Sequence, residues 1–197
     1  VKMVEKQQLK VRDKQITSRR LISAVGSILA KKGFKGVGVN AVAREAGVDK
    51  VLIYRYFGGL PGLIAAFAKE GDFWPSTLEL AGGDLQAFSK LPIEKRLSMF
   101  TSTFIQSIRK RPITQAIMAW EMIEPNDLTE ELERVRELGI QQFFQMFFLT
   151  EGSRDLQAII SLVGAAIQYL VIRSNHIDIY GGLDLGSNEG WRQIENT

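Results

Sequence analysis

The stretch AREAGVDKVLIYRYF, residues 43–57, decides the fold of this chain. A helical run of alanine and charged residues stops at Gly47, and a new segment opens two residues later at Asp49. Glycine adopts the left-handed backbone conformation that ends a helix without the steric cost that a Cβ imposes. The Asp49 carboxylate can accept the free backbone N–H groups at the start of a helix. The stretch therefore predicts two short helices joined by a tight turn.

Two short helices joined by a turn that contains glycine form a helix-turn-helix, whose second helix can enter the major groove of DNA. Ile53 and Phe57 lie four residues apart, so they form the face expected to pack on the preceding helices. Tyr54 and Tyr56 can donate O–H hydrogen bonds to phosphate oxygens. The alternative is a helical hairpin whose Tyr-Arg-Tyr cluster covers the edge of a core.

Charge is distributed unevenly along the chain. Residues 1–57 hold 13 Lys and Arg against 4 Asp and Glu, whereas residues 58–197 hold 12 against 18, so the net charge of +3 hides a basic N-terminal part. This asymmetry is expected of a polyanion-binding head on a body with another role. A basic patch can also serve solubility or a membrane surface, so charge alone does not assign a partner.

Helical periodicity runs through almost the whole chain, and strand signals are nearly absent. We predict an all-α fold, with a three-helix head and a larger helical body. Thr17 or Ser18 is expected to cap the first helix, and Gly33 to end it. The predicted helices cover about 17–32, 39–46, 49–57, a segment from Pro61, 92–110, 112–123, 128–149 and 154–173.

The sequence contains few of the residues and motifs on which enzyme catalysis usually depends. There is no cysteine, the only histidine is His176, and no paired-histidine spacing or glycine-rich phosphate loop occurs. The N-terminus lacks the apolar stretch of a signal peptide, and the most apolar window, Leu156–Ile172, is shorter than a bilayer span needs. We predict a cytoplasmic protein that is not an enzyme, without a cofactor, a metal site or a membrane partner.

The segment GFKGVGVNAVAREAGVDKVLIYRYF resembles the DNA-binding head of the tetracycline-repressor (TetR) family of bacterial regulators. The resemblance runs from about Arg19 to Leu63, and A-x-x-A-G-V-x-x-x-x-x-Y-x-Y-F is its most specific part. It implies a homodimer with an operator-binding head, residues 1–60, and a body that binds an effector and dimerises, residues 61–197. Carried over by position, the residues expected to face DNA are Asn40, Lys50, Val51, Leu52, Tyr54, Arg55 and Tyr56.

Two positions depart from the family pattern. Gly38 stands where the family usually has a Ser or Thr cap that touches phosphate, and Leu60 stands where it has a phosphate-anchoring lysine. Val51 and Leu52 cannot hydrogen-bond to bases, although they can touch thymine methyl groups. A basic leader can supply phosphate contacts instead, through Lys2, Lys6, Lys10, Arg12, Lys14, Arg19 and Arg20.

Aromatic and methionine side chains are concentrated in the body, between Phe100 and Tyr169. Most are expected to be core, yet together they exceed what a bundle of this size needs, and such side chains make adaptable walls for an apolar ligand. The resemblance implies an effector cavity among these helices. The predicted lining is Phe100, Phe104, Trp120, Met122, Phe143 and Phe147.

Residues 156–172, LQAIISLVGAAIQYLVI, are apolar on nearly all sides, which indicates burial on more than one face. Gly164, Ala165 and Ala166 permit close approach of another helix, and the resemblance implies a dimer interface made by the last two helices of each subunit. A central helix of a monomer is the alternative. The last helix, in residues 188–197, ends after less than three turns.

The predicted function is ligand-responsive transcriptional regulation, in which a small apolar or amphipathic molecule releases a repressor from its operator. The alternative is a helical ligand-binding or interaction protein whose helix-turn-helix head lacks sequence-specific DNA readout.

Overall fold

The computed structural model describes residues 2–70, 73–123, 126–148 and 154–196. These residues form eleven α-helices and one short antiparallel hairpin, β1 Ile179–Tyr180 with β2 Leu183–Asp184. The all-α prediction is confirmed. The helices are α1 Lys2–Lys32, α2 Val39–Ala46, α3 Val51–Phe57, α4 Leu60–Glu70, α5 Thr77–Leu80, α6 Leu85–Lys90, α7 Ile93–Arg109, α8 Pro112–Ile123, α9 Asp127–Phe147, α10 Arg154–Arg173 and α11 Asn188–Glu195.

Two compact units divide the chain. The N-terminal unit comprises Val1–Phe73 and Trp120–Val135, and the second unit comprises Trp74–Ala119 and Arg136–Thr197. Helices α8 and α9 therefore each contribute residues to both units. The boundary predicted after residue 60 falls inside the first unit, and as a division between functions it stays a prediction.

Aliphatic side chains from four helices make the core of the N-terminal unit. Leu21 and Val25 of α1 are inaccessible to solvent, as are Val42 of α2 and Ile53 of α3. Leu63 and its neighbour on α4 are equally buried. Burying one such side chain contributes about 1.5–3 kcal/mol relative to leaving it in water, so this small cluster holds the three helices of the head to α4.

The first helix begins much earlier than predicted. It starts at Lys2, so Thr17 and Ser18 lie inside it and do not cap it. Residues 2–16 contain neither glycine nor proline and are rich in lysine and glutamine, which favour helix, so nothing upstream stops the helix. Gly33 does end α1 with a positive φ of 62°, but its ψ of −167° is not left-handed helical, because the chain turns at once into a 3-10 turn, Phe34–Gly36.

Seven phenylalanine rings pack on one another in the second unit. Neighbouring centroids lie 5.0–6.3 Å apart, mostly in tilted or edge-to-face pairs, the geometries that aromatic rings prefer. Phe143 is at the centre, since its ring contacts five of the others. We call this set the aromatic cluster: Phe88, Phe100, Phe104, Phe143, Phe144, Phe147 and Phe148.

Helix α10 is apolar on its exposed face as well as on its buried face. Ile160, Ile167 and Val171 are buried, but only 22% of the most apolar window lies inside the structure. From Asp155 to Arg173 it is the one single helix in the described ranges that is long and apolar enough to cross a membrane. The expectation that this segment is too short was wrong, because the helix continues through the charged residues at its ends.

Candidate nucleic-acid interface

The turn between α2 and α3 depends on Gly47. Its φ of 62° and ψ of 42° are left-handed helical, as predicted, and its N–H points to the carbonyls of Ala43 and Arg44. The N–H of Val48 also donates to the Ala43 carbonyl, at 3.0 Å, so the last carbonyls of α2 are satisfied. A Cβ on Gly47 would lie 3.0 Å from Nη2 of Arg20, at the end of a flexible exposed side chain, so it is the backbone conformation that selects glycine here.

Asp49 and Ile53 set the direction of α3. The Val51 N–H donates to Oδ1 of Asp49 at 2.8 Å, which confirms the predicted capping role, although α3 begins at Val51 and not at Asp49. Ile53 is completely buried and Phe57 is half-buried, as their four-residue spacing predicts. With this face turned inward, the opposite face of α3 lies at the surface.

The structure leaves all seven predicted DNA-facing residues at the surface of the head. Val51 and Tyr54 are 59% and 56% exposed, which is unusual for large side chains of a core helix and leaves them free to meet a partner. Contact with DNA itself stays a prediction. Asn40, Lys50, Val51, Tyr54 and Arg55 are exposed, and Leu52 and Tyr56 are half-buried.

Two cations of α1 lie beside the helix-turn-helix. The Lys14 ammonium sits 5.5 Å from the centroid of the Tyr56 ring, a cation–π contact. The guanidinium of Arg20 donates to the Gly47 carbonyl at 3.5 Å. The sequence showed these positive charges but not their neighbours, because both contacts join residues far apart in the chain. The side chains of Lys2, Lys6 and Lys10 lie outside the described part.

The two departures from the family pattern are both visible. Gly38 precedes α2 in an extended conformation, without a side-chain cap, and nothing lies within 4 Å of the place its Cβ would take. Leu60 is the first residue of α4 and is half-buried. The start of α2 therefore lacks a hydroxyl that could contact phosphate, and the start of α4 lacks an ammonium group that could do so.

Glu45 ties α2 to α1. Its Oε1 accepts hydrogen bonds from Ser27 Oγ at 2.6 Å and from Lys31 Nζ at 2.9 Å. The Ser27 hydroxyl, followed by the Lys31 ammonium, holds the pKa of the Glu45 carboxyl below its ordinary range. The carboxylate thus stabilises the packing of α2 on α1.

The predicted effector lining is brought together only in part. Phe100, Phe104, Phe143 and Phe147 meet in the aromatic cluster. Met122 is 67% exposed. Trp120 belongs to the N-terminal unit, where its Nε1 lies 3.1 Å from the position of a Cβ on Gly33 and the Lys35 ammonium lies 5.8 Å from its ring.

Comparison with known proteins identifies the head. Residues 21–67 match the family model described as bacterial regulatory proteins, tetR family. The head is that of a tetR-family regulator. The segment that matches contains the whole helix-turn-helix and the Gly47 turn.

Relatives of the whole chain agree with this assignment. The HTH-type transcriptional repressor KstR of Rhodococcus jostii (strain RHA1) is 24% identical over 174 residues, which cover 85% of this chain and 79% of KstR. The fatty acid degradation regulator FadR of Bacillus halodurans has a similar fold, with a TM-score of 0.60, 16% identity and coverage of 90% of this chain and 95% of that one. A TetR-like regulator from Rhodococcus sp. RHA1 gives a TM-score of 0.55 at 18% identity, over 92% and 97% of the two chains.

The tetR-family assignment confirms the coarse functional prediction. The chain is a DNA-binding transcriptional regulator with an N-terminal helix-turn-helix, and the proteins it matches are regulators and not enzymes. Across the residues that the structure describes, no three His, Asp or Glu side chains gather in a way that could hold a metal ion.

Neutralising Glu45 should destabilise the tetR-family head in a pH-dependent way. Because the folded-state pKa is depressed, the carboxylate contributes stability above its ordinary pKa and loses it as the pH falls through the lowered value. Glu45→Gln should therefore lower the thermal midpoint at neutral pH, and the difference from wild type should close in acid. Thermal unfolding followed by circular dichroism over a pH series measures this.

Glu133→Gln is the matched control, since it removes an exposed carboxylate from the same compact unit. It should leave the midpoint almost unchanged at every pH. A Glu45→Gln difference that persists undiminished in acid would mean that the ion pair and the Ser27 hydrogen bond do not support the head.

Proposed function

We propose that this chain is a cytoplasmic, homodimeric repressor whose binding to operator DNA is relieved by a small apolar or amphipathic effector. The observation that carries the proposal is the exposed surface formed by Lys50, just before α3, and by Tyr54 and Arg55 of α3. It follows the left-handed Gly47 turn in a tetR-family head. Repression is supported by the relative KstR, which is a transcriptional repressor.

The DNA-facing surface combines phosphate contacts with sparse base contacts. The Lys50 ammonium and the Tyr54 hydroxyl are suited to phosphate oxygens, which position a protein without reading sequence. Asn40, exposed in the first turn of α2, can pair with a base edge, and Val51 can meet a thymine methyl group. A symmetric dimer would place two such helices about 34 Å apart, in successive major grooves.

The dimer interface we propose is the exposed face of α10. Leu162 is 72% exposed and Ile159 57% exposed, and such a row of large apolar side chains marks a surface that another molecule covers. The exposed Ala165 and Ala166 beside them leave room for a second helix to approach closely. A second copy of α10 offers the same apolar row, so the face is self-complementary, as a twofold interface requires.

The effector site we propose is the aromatic cluster. Its rings touch one another, so an effector enters by separating rings of α7 from rings of α9. Helix α9 begins in the N-terminal unit and continues into the second unit, so a displacement of Phe143 can be passed to the N-terminal unit along one continuous helix. The effector weakens operator binding only to the extent that it prefers the displaced state.

A helical binding protein without sequence readout is the competing function. Leu60 and the apolar pair Val51 and Leu52 favour it, because none of them can hydrogen-bond to DNA. The operator experiment separates the two functions.

Selection of bound sequences from a random duplex pool should yield one near-palindromic site with two half-sites. Lys50→Ala and Tyr54→Phe should each weaken binding to that site by about 1–3 kcal/mol, since each removes a hydrogen-bond donor from the interface. Fluorescence anisotropy measures the affinities. Lys95→Ala is the control, because it removes an exposed lysine of α7. A pool that shows no enrichment after repeated selection would favour the binding protein without readout.

An effector should be found by screening medium- and long-chain carboxylic acids and planar hydrophobes for compounds that raise the thermal midpoint. Such compounds should also release the selected operator, and Phe143→Leu should change their affinity by at least about tenfold, since the central ring of the cluster is lost. Met146→Ala alters an exposed side chain of the same helix, 62% accessible, and should leave their affinity unchanged. Equal affinities for the two variants would place the effector elsewhere.

Ala165→Trp should convert the dimer into a monomer, because an indole prevents the close approach of two α10 helices. Sedimentation velocity measures the species present. Ala116→Trp is the control, since it adds the same ring at an exposed position of α8. An Ala165→Trp protein that sediments as a dimer would exclude this interface.

A further inference from the structure

The first helix extends far beyond the core of the head. The helix begins at Lys2, and of the side chains that the structure describes from Arg12 onward, the first that is buried is Leu21, while those from Arg12 to Ile16 are exposed. Residues 2–16 amount to about four helical turns, and the described residues among them, 12–16, add no buried side chain to the core of the head. We propose that this leading part of α1 is a second DNA-binding element, a clamp on the phosphates that flank the operator. The proposal rests on the DNA-binding function above.

The charge pattern of the leading part fits a polyanion and works against the helix itself. Residues 2–16 hold 5 Lys and Arg against 2 Asp and Glu. Lys2, Lys6, Lys10 and Lys14 recur every four residues, a spacing that places them along one side of a helix. Like charges at this spacing repel one another and destabilise a helix. Phosphates along this side of the helix would relieve the repulsion.

Lys14 joins this charged side to the surface that faces DNA. Its ammonium lies over the Tyr56 ring of α3, at 5.5 Å from the centroid, and it remains exposed. Arg19 and Arg20 follow one turn later, both exposed, and Arg20 reaches the Gly47 carbonyl. Positive charge thus lies beside the helix-turn-helix at the point where the leading part of α1 joins the head.

The length of the leading part sets its reach. Twelve residues separate Lys2 from Lys14, which corresponds to about 18 Å of helix. The same distance covers about five base pairs of duplex. The clamp therefore contributes phosphate contacts outside the half-site, in addition to those of a head whose α4 begins with Leu60 and not with a lysine.

The partner is DNA and not a lipid surface. A helix that lies on a membrane gathers its apolar side chains on one face. At 100° per residue, the spacing of the apolar residues in the sequence of the leading part does not gather them on one face of a helix. They are Met3, Val4, Leu9, Val11 and Ile16.

Salt dependence of operator binding by the full chain tests the clamp. We expect Lys14→Gln to reduce the slope of log K against log salt by about one for each head bound, and the triple variant K6Q/K10Q/K14Q by about three. Both variants should weaken binding to the selected operator and to a scrambled duplex by the same factor. Glutamine has nearly the helix propensity of lysine, so circular dichroism should show unchanged helicity.

Duplex length gives a second, independent measurement. The wild-type protein should bind more tightly when the operator duplex is extended by about five base pairs on each side, and the triple variant should gain nothing from the extension. Lys90→Gln, the same change on the exposed surface of α6, is the control and should behave as wild type in both measurements.

Three outcomes would overturn the clamp: an unchanged salt slope in the triple variant, no gain by wild type from the longer duplex, or equally tight binding of wild type to vesicles that contain phosphatidylserine. Failure of sequence readout is a separate result. In that case pool selection yields no preferred site, while the lysine variants still lower the slope on random duplex.

Discussion

The backbone at Gly47 is the constraint on which the rest of the head depends. A φ of 62° and a ψ of 42° turn the chain between α2 and α3, and Ile53 of α3 is completely buried. A residue with a Cβ would carry about 1–2 kcal/mol of strain in this conformation. Because the turn places Ile53 inside, Lys50, Tyr54 and Arg55 are left outside.

The charged side chains of the head form two groups: some stabilise the fold, and others are exposed and available to DNA. Lys31 is paired with Glu45, so its charge stabilises the packing of α1 on α2. Lys14, Arg19, Arg20, Lys50 and Arg55 remain exposed. Their mutual repulsion costs stability in the free protein, and that cost is relieved when phosphates neutralise them. Each exposed cation that neutralises a phosphate releases counterions from the DNA, and this release favours the bound state.

The body contains two apolar features with different roles. The rings of the aromatic cluster are buried and in direct contact with one another, so their packing stabilises the second unit. The exposed face of α10, by contrast, is not covered by other side chains, since Leu162 and Ile159 are exposed to solvent. The buried cluster is the proposed effector site, and the exposed apolar face is the proposed dimer interface.

By itself the sequence determined the helical class, the Gly47 turn, the inward placement of Ile53 and the limits of α7, α8, α9 and α10 to within about two residues. These features follow from interactions among neighbours in the chain, such as capping, periodicity and glycine conformation. The tertiary structure alone decided that Lys14 lies over Tyr56 and that Trp120 packs beside Gly33, away from the aromatic cluster. Such contacts join residues distant in sequence, and their formation depends on how whole helices pack, which no local pattern encodes.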